Sequence, residues 1–112
     1  MAPSQWHKIC DLEDLEVNWG EAALIEGHQY AVFRTHDDRV FASDHRDPNS
    51  GALVIARGIV GEKDGNHTVT SPLYKDVFSL ENGQCLSGAD FTLPIYPVKV
   101  QDGQVFMGTQ AS

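Results

Sequence analysis

Cysteine is nearly missing from this chain. Cys10 and Cys85 are the two present, 75 positions apart. Neither stands in a Cys-x-x-Cys or Cys-x-His setting, and the pair reads as reduced intracellular thiols before a disulfide. Base is also scarce: 8 Lys and Arg face 16 Asp and Glu, for a net charge of −8. That balance argues against nucleic acid or an anionic membrane as partner. No apolar run resembles a signal peptide or reaches membrane-spanning length, so the expected location is the cytoplasm. Sustained helical periodicity is absent. So are a Gly-x-Ser-x-Gly nucleophile, a phosphate-binding glycine loop and a dinucleotide fingerprint. Five histidines (His7, His28, His36, His45 and His67) are scattered without the spacing of a zinc site.

What is present reads as strands. At 112 residues with 41% apolar side chains, the chain suits one domain, 1–112, around one core. Trp6 to Ile9 is a short strand, followed by a turn or single helical turn from Asp11 to Leu15. Asn18-Trp19-Gly20 reads as a break. Ala22 to Glu26, Gln29 to Thr35 and Val40 to Ala42 follow as strands, the last two joined across His36-Asp37-Asp38-Arg39 as a hairpin. Leu53-Val54-Ile55 is a short apolar segment. Gly58 to Gly61, His67 to Ser71 and Val77 to Leu80 are further strands, with a tight turn at Glu81-Asn82-Gly83. A strand after Ile95 and its partner from Gln104 to Met107 flank Asp102-Gly103, a type I′ turn signal. Pro94 and Pro97 place the entry to that strand at an edge or leave it unpaired. Many short strands with frequent turns predict a small all-β sandwich or barrel.

Six acids, Asp11, Glu13, Asp14, Glu16, Glu21 and Glu26, crowd the N-terminal stretch around the single base Lys8; they make a solvated face or a docking face for a basic partner. Asp44, His45, Arg46, Asp47 and Asn49 form the tightest polar cluster. It is either a hydrogen-bonded Asx-turn loop or a hard-cation site built on its Asp and Asn oxygens. His45 has the pKa range of a general base but no Ser or Cys motif beside it.

Two proline loops organise the middle of the chain: Asp47-Pro48-Asn49-Ser50-Gly51-Ala52, and Ser71-Pro72-Leu73-Tyr74-Lys75 running on to Asn82-Gly83. Their order resembles a Rieske domain, in which Cys-Pro-His and Cys-Pro-x-His loops hold a 2Fe-2S cluster through two thiolates and two imidazoles. Asp47 and Ser71 stand at the cysteine positions, Asn49 and Tyr74 at the histidine positions. Oxygen and amide donors are poor ligands for an iron-sulfide centre, so no cluster is expected. The loops are expected to hold together through Asp47, Asn49 and Ser71, with Tyr74 filling the vacated space.

Adding Arg57 to Gly61, Phe78 to Leu80 and Gly83 to Leu86 makes the pattern similar to one cluster-free Rieske-like family, the small subunit of assimilatory NAD(P)H-dependent nitrite reductase. The resemblance implies a Rieske-like β fold with a degenerate tip. It implies a cytoplasmic accessory subunit with no catalytic residue, cofactor or metal of its own. Its partner would be a large subunit carrying FAD, 4Fe-4S and sirohaem and reducing nitrite to ammonium. Arg46, Asn49, Tyr74 and Lys75 are the candidate contacts with that partner. Two alternatives stay open: a Rieske-type ferredoxin serving an oxygenase, which needs the four missing ligands, and a free-standing module with a mononuclear metal at Asp44, His45 and Asp47.

Overall fold

Short strands, each closed by a turn-forming residue, arrange residues 6–109 of the computed structural model into antiparallel sheets. In chain order the strands are β1 (Trp6–Asp11), β2 (Trp19–Ile25), β3 (His28–Arg34), β4 (Val40–Asp44), β5 (Ile59–Lys63), β6 (Asn66–Thr70), β7 (Val77–Ser79), β8 (Ile95–Tyr96), β9 (Val98–Gln101) and β10 (Gln104–Gly108). One sheet has the order β1-β10-β9, a second β2-β3-β4-β8, and a third β5-β6-β7. Single 3-10 turns occupy Leu12–Asp14 and Ile55–Arg57. The fold is all-β, as the turn spacing predicts.

The four-stranded sheet lies between two cores. Ala31 and Phe33 of β3 pack with Ile55, Val69, Phe78 and Leu80 on one side. Tyr30 and Val32 of the same strand pack with Leu15, Val105 and Met107 on the other. Successive strand residues point to opposite faces. A strand covered on both faces must therefore be apolar at every position, which explains the unbroken run Tyr30-Ala31-Val32-Phe33. Phe33 and Phe78 are fully buried, and each such side chain stabilises the fold by roughly 1.5–3 kcal/mol.

The turns follow local chemistry. Asp102 (φ 53°) and Gly103 (φ 73°) are both left-handed, as a type I′ hairpin requires. Gly83 has φ 80°, and a Cβ there would sit 1.8 Å from the Leu93 carbonyl oxygen. Only glycine fits.

Three local readings gain detail. The break before β2 ends at Asn18 (φ 59°), and Trp19 already pairs with Arg34. Leu53-Val54-Ile55 does not run straight, because the Val54 and Ile55 amides both donate to the His45 carbonyl and start the second 3-10 turn. The strand after Pro94 splits at Pro97: Ile95 and Tyr96 pair with β4, while Val98 onward pairs with β10. Pro97 has no amide to donate, and its carbonyl accepts from the Gly108 amide at 3.0 Å. The chain thus changes sheets at the proline. Among the described residues, no helix is long and apolar enough to cross a membrane.

Candidate functional site

The two proline loops leave the same end of the molecule, one after β4 and one between β6 and β7, and they are built alike. The Asp47 carbonyl accepts from the Gly51 amide at 2.8 Å, and the Ser71 carbonyl accepts from the Lys75 amide at 3.1 Å. The Asp47 amide donates to Ala52 O at 2.8 Å, and the Ser71 amide to Asp76 O at 2.9 Å. Each loop has proline second, where its fixed φ presets the turn. Each has a left-handed residue fifth, Gly51 (φ 78°) and Lys75 (φ 62°). The leading side chain also caps its own loop: Asp47 Oδ1 accepts from the Asn49 amide at 3.0 Å, and Ser71 Oγ from the Leu73 amide at 3.4 Å.

The loops then close on each other. Ser71 Oγ donates to Asp47 Oδ2 at 2.7 Å, and both residues are wholly buried. Asn49 Nδ2 donates to Asp76 Oδ2 at 3.0 Å on the outer side. The expected bonds from Asp47, Asn49 and Ser71 are all present. Tyr74 does not fill the space between the loops. It is 60% exposed, because the direct Asp47–Ser71 contact already brings the loops together.

This donor set does not fit a 2Fe-2S cluster. The two positions that would supply thiolates hold a carboxyl and a hydroxyl bonded to each other, and the phenol points to solvent. Iron-sulfide centres need soft thiolate and imidazole ligands from both loops at once. The tip instead presents Arg46, Asn49, Tyr74 and Lys75, all exposed, with Leu73 beside them. Arg46 Nη1 donates to Gly51 O at 2.7 Å and Lys75 Nζ to Pro72 O at 3.0 Å, so both cations lie against the loop backbone.

The other candidates separate. Asp44 Oδ1 accepts from the Tyr96 hydroxyl at 2.7 Å and lies 2.9 Å from His28 Nε2. Burial and the Asp44 carboxyl hold the Tyr96 phenol well above its ordinary pKa. His45 is buried, and its Nδ1 accepts from the Ala56 amide at 3.1 Å. Burial and the Arg57 charge lower its pKa, which keeps the ring neutral as a post for the second 3-10 turn. Asp44, His45 and Asp47 therefore serve three different partners and do not converge as the mononuclear-metal alternative requires. Cys10 and Cys85 are free and pack against opposite cores, which rules out their pairing in this fold. Burial and Asp14 push the Cys10 thiol up, away from a nucleophile's range. All six N-terminal acids are exposed. Three residues without a motif do meet: His36, Asp37 and His67 bring ligand atoms within 4.8 Å of one another.

A family model, the Rieske-like 2Fe-2S domain, matches residues 5–108. The nitrite reductase (NADH) small subunit of Salmonella typhimurium is 41% identical over 103 residues, covering 91% of this chain and 95% of the relative. The chain belongs to the family of nitrite reductase small subunits. The solution structure of another such subunit, from Erwinia carotovora, has a TM-score of 0.80 at 38% identity, covering 97% of this chain and 85% of that one. A nitrite reductase large subunit of Klebsiella oxytoca matches 94% of this chain at 38% identity, over 11% of its own length. A domain of this small-subunit type thus also occurs inside a polypeptide that bears the large subunit's name. The fold extends to a carbazole 1,9a-dioxygenase ferredoxin from Nocardioides aromaticivorans, with a TM-score of 0.83 at 18% identity, 96% of this chain and 100% of that one being covered. At that identity the likeness concerns fold alone.

Proposed function

We propose that this chain is the accessory subunit of an NAD(P)H-dependent nitrite reductase, acting in the cytoplasm by binding the large subunit and carrying no redox centre itself. FAD, 4Fe-4S and sirohaem reside in the large subunit, which reduces nitrite to ammonium. Neither nucleic acid nor membrane is a partner, in keeping with the net charge of −8. The observation that supports this reading is the buried Asp47–Ser71 hydrogen bond, made by the two residues that the Rieske resemblance sets at the thiolate positions. The Salmonella and Klebsiella likenesses support the partner. The ferredoxin alternative requires ligands this tip does not offer.

The docking surface is the tip. Tyr74 and Leu73 are exposed aromatic and apolar groups at its apex, flanked by Arg46 and Lys75. Aromatic and Arg side chains of this kind dominate interface energetics. Co-purification with the large subunit tests the surface. Tyr74→Ala combined with Lys75→Glu is expected to lower recovery of the complex on the order of tenfold or more. Unchanged recovery would remove the tip as the interface.

A further inference from the structure

The end of the molecule away from the tip carries a second constellation, and no reading of the tip bears on it. His67 is the second residue of β6, whose last residue precedes Ser71. Ser71 follows His67 by four steps along the strand direction, roughly 13 Å. Opposite His67 lies the β3–β4 turn, held by Asp38 in the left-handed region (φ 61°) and by the Thr35 amide donating to Arg39 O at 2.9 Å. Arg34 clamps it further, donating from Nε and Nη2 to Asp38 Oδ1 at 3.0 and 2.7 Å. This turn presents His36 and Asp37.

His67 Nε2 lies 3.1 Å from Asp37 Oδ2. Its ring is almost wholly buried, with the His36 ring at 5.6 Å on one side and Phe41 at 5.5 Å on another. Asp37 Oδ1 accepts from Thr35 Oγ1. His36 Nε2 lies 3.7 Å from Glu62 Oε1, and Glu62 pairs across the β5–β6 hairpin with His67. The nearby Arg39 charge is taken up by Glu81, at 3.1 Å.

The geometry points to a binding site for a divalent first-row transition-metal ion, of the zinc class, held by His67 Nε2, Asp37 Oδ2 and His36. Tetrahedral zinc with nitrogen and oxygen donors at about 2.0–2.1 Å places those donors about 3.3 Å apart. The His67–Asp37 separation of 3.1 Å is already close to that value. His36, on an exposed turn, needs only a side-chain rotation to close the third bond, and Glu62 stands next to it as a fourth donor. Two imidazoles with one carboxylate select transition metals over calcium or magnesium. The Thr35 hydroxyl on Asp37 is the outer-shell hydrogen bond that orients a ligating carboxylate. Binding replaces the hydrogen shared between His67 and Asp37 by the ion. It ties the β3–β4 turn of the four-stranded sheet to β6 of the three-stranded one.

The test is a calorimetric zinc titration of the full chain without an affinity tag, with cobalt as a spectroscopic probe. One zinc per chain is expected, with a melting midpoint that rises with zinc concentration. Asp37→Asn and His36→Ala, both at exposed positions, are each expected to weaken binding at least tenfold; cobalt should give the visible bands of tetrahedral nitrogen and oxygen ligation in the parent chain only. His28→Ala, which changes a separate His–Asp pair, should leave binding unchanged. Failure of the parent chain to bind zinc, or binding that ignores the Asp37 and His36 substitutions, would overturn the site.

Discussion

At one end of β4 and β6, Asp47 meets Ser71 between two proline loops; at the other end, Asp37 meets His67 between two hairpin turns. Both are carboxyl groups fixed by a donor from another sheet. The tip has loops of the shape that grips a cluster, but its side chains bond each other and leave nothing to coordinate. The far end has no motif, yet its imidazoles and carboxylate converge. Loop shape and ligand chemistry are therefore separable. The shape at the tip is carried by Pro48, Pro72, the left-handed Gly51 and Lys75, and the backbone bonds they close. Those bonds join backbone groups and do not themselves use the leading side chains.

The comparison is most easily broken at Asp47. Asp47→Ala takes the acceptor from the buried Ser71 hydroxyl, at about 1–3 kcal/mol, and from the part-buried Asn49 amide, which water reaches at smaller cost, and should lower stability by about 3 kcal/mol in urea unfolding. A loss under about 0.5 kcal/mol would mean the loops do not depend on this bond. Ser71→Ala should cost less, about 1–2 kcal/mol, since Asp47 keeps the Asn49 amide. The double variant should cost less than the sum of the two, as expected for residues in direct contact.

A smaller effect sharpens the other side. The Thr35 hydroxyl first, and then the His67 ring, lower the Asp37 carboxyl from 3.8 to about 2. A carboxyl with a depressed folded pKa contributes stability that is complete above 3.8 and is lost as pH falls through about 2. Thr35→Val should move the Asp37 titration back up toward 3.8, observed by carboxyl NMR. An unmoved titration would show that Thr35 does not set the carboxylate's orientation.

Much of this was legible in the chain because it is local. Asp102-Gly103, Gly83 and the two proline loops announce their turns from residue chemistry alone. The positions Asp47, Asn49, Ser71 and Tyr74 were singled out by the resemblance of the two proline loops to Rieske cluster loops. What depends on packing was not legible. Gly20 made Trp19 look like part of a turn. It is glycine because a Cβ there would come 2.5 Å from the Ala56 carbonyl and 2.6 Å from the Phe33 ring. The sheet change at Pro97 depends on β4 offering an edge to Ile95 and Tyr96. Tyr74 points outward because a side-chain hydrogen bond elsewhere had already closed the loops. His36 and Asp37 lie some thirty positions from His67. Only the placement of the β3–β4 turn over β6 brings them together, and no spacing rule announces it.

The claim that the tip keeps the frame of a cluster site while its side chains exclude the cluster is tested most directly by anaerobic reconstitution of the purified chain with iron and sulfide. The account predicts a colourless protein without stoichiometric iron or labile sulfide. A coloured protein holding one 2Fe-2S centre per chain would contradict it.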